Sequence, residues 1–225
     1  MAKASKADAE KLAALSSDCS FLLSHLIRQN GDNSKTNQQA YDILRLILDL
    51  DNLNPTPLLK SSKVGWYSAL DNPRVFDPSS KYFSCPENIK AVCFTDSTLA
   101  GLRAHREVFD IKYGIAFDRD YLFKQGANPC LNIRESLFKS KIDNSKDSYD
   151  KLFNYIPADL AGYINIINES FDATHEREWR YIGDLKFEHS HIKFLFCPEE
   201  QFEIFSAIQL NGKPALFDLN WLDRI

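Results

Sequence analysis

The sequence predicts an α+β fold in one compact unit, with α/β as the neighbouring possibility. Two observations carry this. Segments of helical periodicity intermix with short apolar runs of strand length, and the helices are long relative to the strands. No G-x-G-x-x-G follows a strand and no G-x-x-x-x-G-K occurs, so the dinucleotide-binding and P-loop readings lack their phosphate-binding turns. The 225 residues are 44% hydrophobic and 26% charged, ordinary values for a folded chain and unlike those of a disordered one. A chain of this length buries roughly 70–75% of its unfolded surface, enough for a core without staples.

In chain order, residues 4–20 are Ala-rich and polar, and 1–19 are expected to form a helical extension to a domain spanning 20–225. Residues 21–28 (FLLSHLIR) read as a strand with Phe21, Leu23, His25 and Ile27 on one face. Asn30-Gly31 signals a turn. Ala40, Ile43, Leu44, Ile47 and Leu48 recur at helical spacing, and Pro55 and Pro57 bar continuation of that helix. Residues 58–90 read as long loops with one short helix.

Residues 91–95 (AVCFT) read as a buried strand, with Ser97 as the cap of a helix through LAGLRAHREVF. Further strands are expected at 113–117, 130–134, 178–181 and 191–197. Helices are expected at 118–125, ended by Gly126, at 157–170 and at 199–210. A short strand and a tail close the chain. The polar stretch 136–153 is expected to order only with a partner.

Charge and cysteine content narrow the function classes. The net charge of −4 argues weakly against a general polyanion-coating protein. Five scattered cysteines, with no C-x-x-C, make structural zinc and a disulfide framework poor readings. No apolar run spans a membrane and the N-terminus has no secretory pattern, so a cytoplasmic protein with reduced thiols is expected. No H-E-x-x-H supports a metal, and no G-x-S-x-G supports a serine nucleophile. His105, His189 and His191 are ligand types without ligand company.

The densest cluster of chemistry-bearing residues is His175-Glu176-Arg177-Glu178-Trp179-Arg180-Tyr181. On a strand, Glu176, Glu178 and Arg180 share one face, with the two carboxylates about 7 Å apart. Such a pair suits hydrogen bonding to sugar hydroxyls and stabilisation of a positive sugar centre. The same residues also suit a solvated face with a surface ion pair. His25, taken alone, reads first as a hydrogen-bonded core histidine, and Arg28, at the strand end, reads equally as a phosphate contact or an exposed basic residue. Phe94-Thr95-Asp96-Ser97 leads into a helix N-terminus, a place that holds an anion or simply caps a helix.

Several segments together resemble bacterial phage-defence proteins of the abortive-infection AbiGi-like group. They are SFLLSHLIRQ at 20–29, DILRLILDLDNL at 42–53, AVCFTDSTLAGLRAH at 91–105, KYGIAFDRDYLFKQGANPC at 112–130 and FDATHEREWRYIG at 171–183. Ile27 stands where that group tends to have threonine, and Asp51-Asn52 replaces its usual glycine. The motif order also looks like the ADP-ribosyltransferase superfamily, DarT type, and implies a split β-sheet with surrounding helices.

That resemblance implies an NAD+-consuming transferase that needs no metal. Glu178 would stabilise the oxocarbenium-like ribose and accept a bond from its 2′-hydroxyl. Glu176 would orient or deprotonate the acceptor. His25 would hold the other ribose, and Arg28 or Arg180 the pyrophosphate. Thr95 would line the cofactor site and Tyr113 would stack on nicotinamide, unless it packs in the core. The acceptor would be a macromolecule, with RNA or DNA favoured over protein on the resemblance alone. A cognate antitoxin or other defence protein would be a partner. The AbiGi-like resemblance also allows a different class: a non-enzymatic antitoxin or sensor in a two-gene system. A metal-dependent nuclease would need a carboxylate set that the sequence does not display.

Overall fold

A computed structural model describes residues 20–30, 34–63, 75–77, 82–84, 90–96, 98–134, 160, 162–167, 169, 172, 174–207, 210 and 212–224. The proposed helical extension at 1–19 and the polar stretch 136–153 lie outside them. In chain order the elements are β1 (Leu22–Ile27), α1 (Asn37–Leu48), β2 (Leu58–Leu59), β3 (Ser62–Lys63), β4 (Val75–Asp77) and β5 (Tyr82–Ser84). Next come β6 (Lys90–Thr95), α2 (Leu99–Phe109), β7 (Tyr113–Asp118), α3 (Arg119–Gln125), β8 (Asn128–Pro129) and β9 (Leu131–Arg134). Then follow β10 (Ile164–Ile167), β11 (Glu178–Ile182), β12 (Leu185–Lys186), β13 (Ile192–Phe196), α4 (Phe202–Ala207) and β14 (Ala215–Phe217). Helices and a multi-stranded sheet are mixed, an α+β arrangement.

The chain clusters into two units. The first holds residues up to Leu59, Phe94–Gln125 and Lys186–Ile225; the second holds Lys60–Cys93 and Gly126–Leu185.

In the first unit the strands run β14-β13-β7-β1, and Thr95 at the end of β6 pairs with Ser24. The register Leu23↔Phe117, His25↔Ile115 and Ile27↔Tyr113 puts these six residues on one sheet face. Helix α1 covers that face, with Ala40, Leu44, Ile47 and Leu48 buried and Tyr41 edge-on to Tyr113. The opposite face carries Ala116 and Phe196, packed with Leu102 of α2 and with Leu219 and Leu222 of the C-terminal turn. Gly114 allows the close approach of β7 to β1: a Cβ there would stand 2.6 Å from the His25 carbonyl oxygen.

The ends of both long helices differ from the sequence expectation. Helix α1 stops at Leu48, ahead of the prolines, because Asp49 turns left-handed (φ 53°) and its backbone N–H bonds back to the Arg45 and Leu46 carbonyls. The Asp49 carboxylate then accepts from the Thr56 N–H at 2.7 Å and from the Asn52 amide. At its start, α1 has a reciprocal capping box between Thr36 and Gln39. Helix α2 is capped by Thr98, not Ser97; the Thr98 hydroxyl accepts from the Gly101 N–H at 3.3 Å.

In the second unit β6 lies between β3 and β11, β8 continues beyond β11, and β9 and β10 form a parallel pair. Within the expected helix of 157–170, Leu160 is helical, whereas Ile164–Ile167 form strand β10. Its isoleucines at 164, 166 and 167 suit a pleated ladder, and its register against β9 is Asn165↔Asn132. The expected loops of 58–90 contain four short strands, β2 to β5. The helix expected over 199–210 is shorter: a 3-10 turn at Glu199–Gln201 precedes α4. No helix among the described residues is long and apolar enough to cross a membrane.

Candidate functional site

The EREWR segment does not form one uninterrupted strand. Thr174–Glu176 is a 3-10 turn, and Arg177 adopts a left-handed backbone (φ 45°), so regular alternation begins only at Glu178. Glu176 therefore does not share a strand face with Glu178 and Arg180, a correction to the expectation. A non-glycine residue held in that conformation costs about 1–2 kcal/mol, and here it resets the phase of the strand.

Glu178 and Arg180 do share a face, and they meet. The Arg180 Nε donates to Glu178 Oε1 at 2.9 Å, and Nη2 donates to Glu178 Oε2 at 2.8 Å. Nη2 also donates to Asn165 Oδ1 at 2.5 Å. Nη1 donates to the carbonyls of Gly162 at 2.9 Å and Ile164 at 3.4 Å. A guanidinium has five N–H donors, and five bonds are made. Arg180 is 1% exposed. The Asn165 amide closes the set by donating to Glu178 Oε2 at 3.0 Å.

Burial pushes the Glu178 carboxyl upward. The hydrogen bonds and charge of Arg180, with the Cys93 thiol and the Asn165 amide, outweigh it and hold the group below the usual carboxylate range. The two thiols beside this carboxylate move the other way. Burial, the Glu178 charge and a hydrogen bond to it keep Cys93 protonated. Burial pushes Cys130 up to about 12 against the opposing pull of Arg180. The backbone sets this arrangement: the Cys130 N–H bonds the Glu178 carbonyl at 2.8 Å, and Trp179 pairs with Pro129.

The remaining sequence-predicted residues lie in the first unit. His25 is half-buried on β1 with its ring edge toward Phe94, centroids 6.0 Å apart. Thr95 pairs with Ser24, so the register assigns it to the face opposite His25. Tyr113 lies on the His25 face but is buried; its hydroxyl accepts from the Gln201 amide at 2.9 Å. That is the core-packing alternative for Tyr113. The Arg28 guanidinium lies 4.2 Å over the Phe109 ring, a cation–π contact. The structure thus brings Glu178 and Arg180 together, and it separates Thr95 from His25.

Asn165 escapes a sequence reading that places 157–170 in a helix. Its signal was a single polar residue inside I-N-I-I, which marks a strand whose one amide must find partners. Among the described residues no group of three or more His, Cys, Asp or Glu side chains is arranged to hold a metal ion. Comparisons with protein-family models, with curated proteins and with solved structures find no match to this chain.

Proposed function

We propose that the chain works by binding, as a non-enzymatic antitoxin or sensor partner in a two-gene abortive-infection system. One observation favours binding over transfer chemistry at this pair: all five donors of Arg180 are used inside the fold, and Glu178 is bonded by Arg180, Asn165 and Cys93; the antitoxin or sensor role itself rests on the AbiGi-like resemblance. A guanidinium with no donor left has nothing to offer a pyrophosphate. A carboxylate held this way ties β11 to β10 and acts as a structural clamp.

The second reading is an ADP-ribosyltransferase of the toxin kind, moving ADP-ribose from NAD+ to a macromolecule, with nucleic acid favoured over protein. Its support is that Glu178 stays ionised although largely buried. An oriented anion of this sort favours an oxocarbenium-like ribose as nicotinamide leaves. A ribose hydroxyl would have to displace the Cys93 thiol from the carboxylate.

The separating experiment uses the full-length wild-type protein. Purified protein is incubated with labelled NAD+ and a total cell extract, and growth is followed in cells expressing the chain alone. The partner reading expects no NAD+ consumption and no growth arrest. NAD+ consumption with arrest would overturn it in favour of the transferase. Label lost on nuclease but not protease treatment would then identify a nucleic-acid acceptor.

A further inference from the structure

The second unit carries a charged feature that the clamp does not use. Strand β3 pairs with β6 in antiparallel register, Ser62↔Ala91 and Lys63↔Lys90. Two exposed lysines therefore stand directly across from each other, with Cβ atoms about 4.5–5.5 Å apart. Like charges in that position destabilise a sheet. A third exposed lysine, Lys60, starts the run Lys60-Ser61-Ser62-Lys63. The nearby carboxylate, Asp184, accepts from the Ser61 hydroxyl at 2.6 Å and the Ser61 N–H at 2.7 Å, both on Oδ1, and with the charges of Lys60 and Lys90 these hold it below the usual carboxylate range; one carboxylate thus faces a local excess of lysine charge. Among the described residues none of the three lysines forms an ion pair.

We propose that Lys60, Lys63 and Lys90 form a contact surface for the phosphate backbone of a nucleic acid. A polyanion with one charge per roughly 3.4 Å of each strand relieves the repulsion between two lysines paired across a ladder. The composition separates this partner from a protein. Protein interfaces are depleted in lysine and built on apolar anchors, whereas this run offers lysines, a serine hydroxyl and strand backbone, the groups that hold phosphates. The overall charge of −4 makes a local patch of this kind necessary for any such contact. The inference stands independently of whether the chain consumes NAD+.

The test is fluorescence anisotropy of the full-length protein with labelled single-stranded RNA, single-stranded DNA and duplex DNA between 50 and 200 mM salt. Three phosphate contacts give a log–log salt slope of about −2 for a single strand. Each Lys→Ala change makes that slope shallower by about 0.7. Lys63→Glu is expected to weaken binding about tenfold or more while its melting temperature stays level or rises, because the introduced carboxylate would pair with Lys90 across the ladder. That rise keeps a folding defect from being mistaken for lost contact. No binding by wild type to any of the three nucleic acids, or an unchanged slope in Lys63→Ala and Lys90→Ala, would overturn the proposal. A lysine that only protects a sheet edge predicts that outcome.

Discussion

Arg180 grips Glu178, two residues before it on the same strand, through two parallel bonds of 2.9 and 2.8 Å, and the guanidinium is 1% exposed. Removing one member leaves an uncompensated buried charge, which costs about 3–5 kcal/mol. Arg180→Ala should lower the urea midpoint accordingly with an unchanged m-value. The double variant Glu178→Leu/Arg180→Met should recover most of the loss, since a buried pair seldom outperforms well-packed apolar residues. A double variant no more stable than Arg180→Ala would refute the clamp.

The same pair sets a pH dependence. The folded-state pKa of Glu178 is depressed, so its contribution is present above the unfolded value, about 4.3. It is lost as pH falls through the folded value. Stability measured from pH 6 down to pH 3 should therefore decline in wild type. Glu178→Gln should start less stable and decline less steeply over that window. Parallel curves for the two proteins would show that the Glu178 pKa is not lowered on folding.

Cys93 and Cys130 flank this carboxylate, and burial holds Cys197 at about 12 as well. Thiolate is the reactive form. In a Cys19→Ser/Cys85→Ser background, the three remaining thiols should react with Ellman's reagent at pH 8 at least about a hundredfold more slowly than a free thiol. They should become fully reactive in urea. Fast labelling of the folded protein would contradict the burial of these groups.

Two left-handed aspartates close helices α1 and α2, at Asp49 and Asp110 (φ 53° and 48°). Asp110→Gly should stabilise the protein by up to about 1 kcal/mol, because glycine adopts this backbone without a Cβ penalty. Asp49→Gly should not gain in this way, since it deletes the carboxylate that holds Thr56 and Asn52. Thermal melts of the two variants should move differently, and equal upward shifts would show that the Asp49 hydrogen bonds contribute nothing.

Much of the first unit was legible in the sequence. The apolar alternation at 22–27 fixes strand β1 and the face of His25, and the stripe from Ala40 to Leu48 fixes α1. Both patterns follow from the two periodicities of side-chain direction, which local sequence encodes directly. The sequence alone places the cap of α2 one residue early, because Ser97 and Thr98 are chemically similar as caps and the folded backbone selects Thr98.

What the sequence determined by itself was the class of fold, the pairing of Glu178 with Arg180 on one strand face, and the absence of the common phosphate-binding turns. Only the tertiary structure decided what that pair does. The break at Arg177 separates Glu176 from it, strand β10 delivers Asn165 and two carbonyls to it, and β6 brings Cys93 beside it. Those groups come from 13 to 85 positions away in the chain. Periodicity reports which way a side chain points, whereas the partners that saturate a buried charge are fixed by strand order and register, which are non-local.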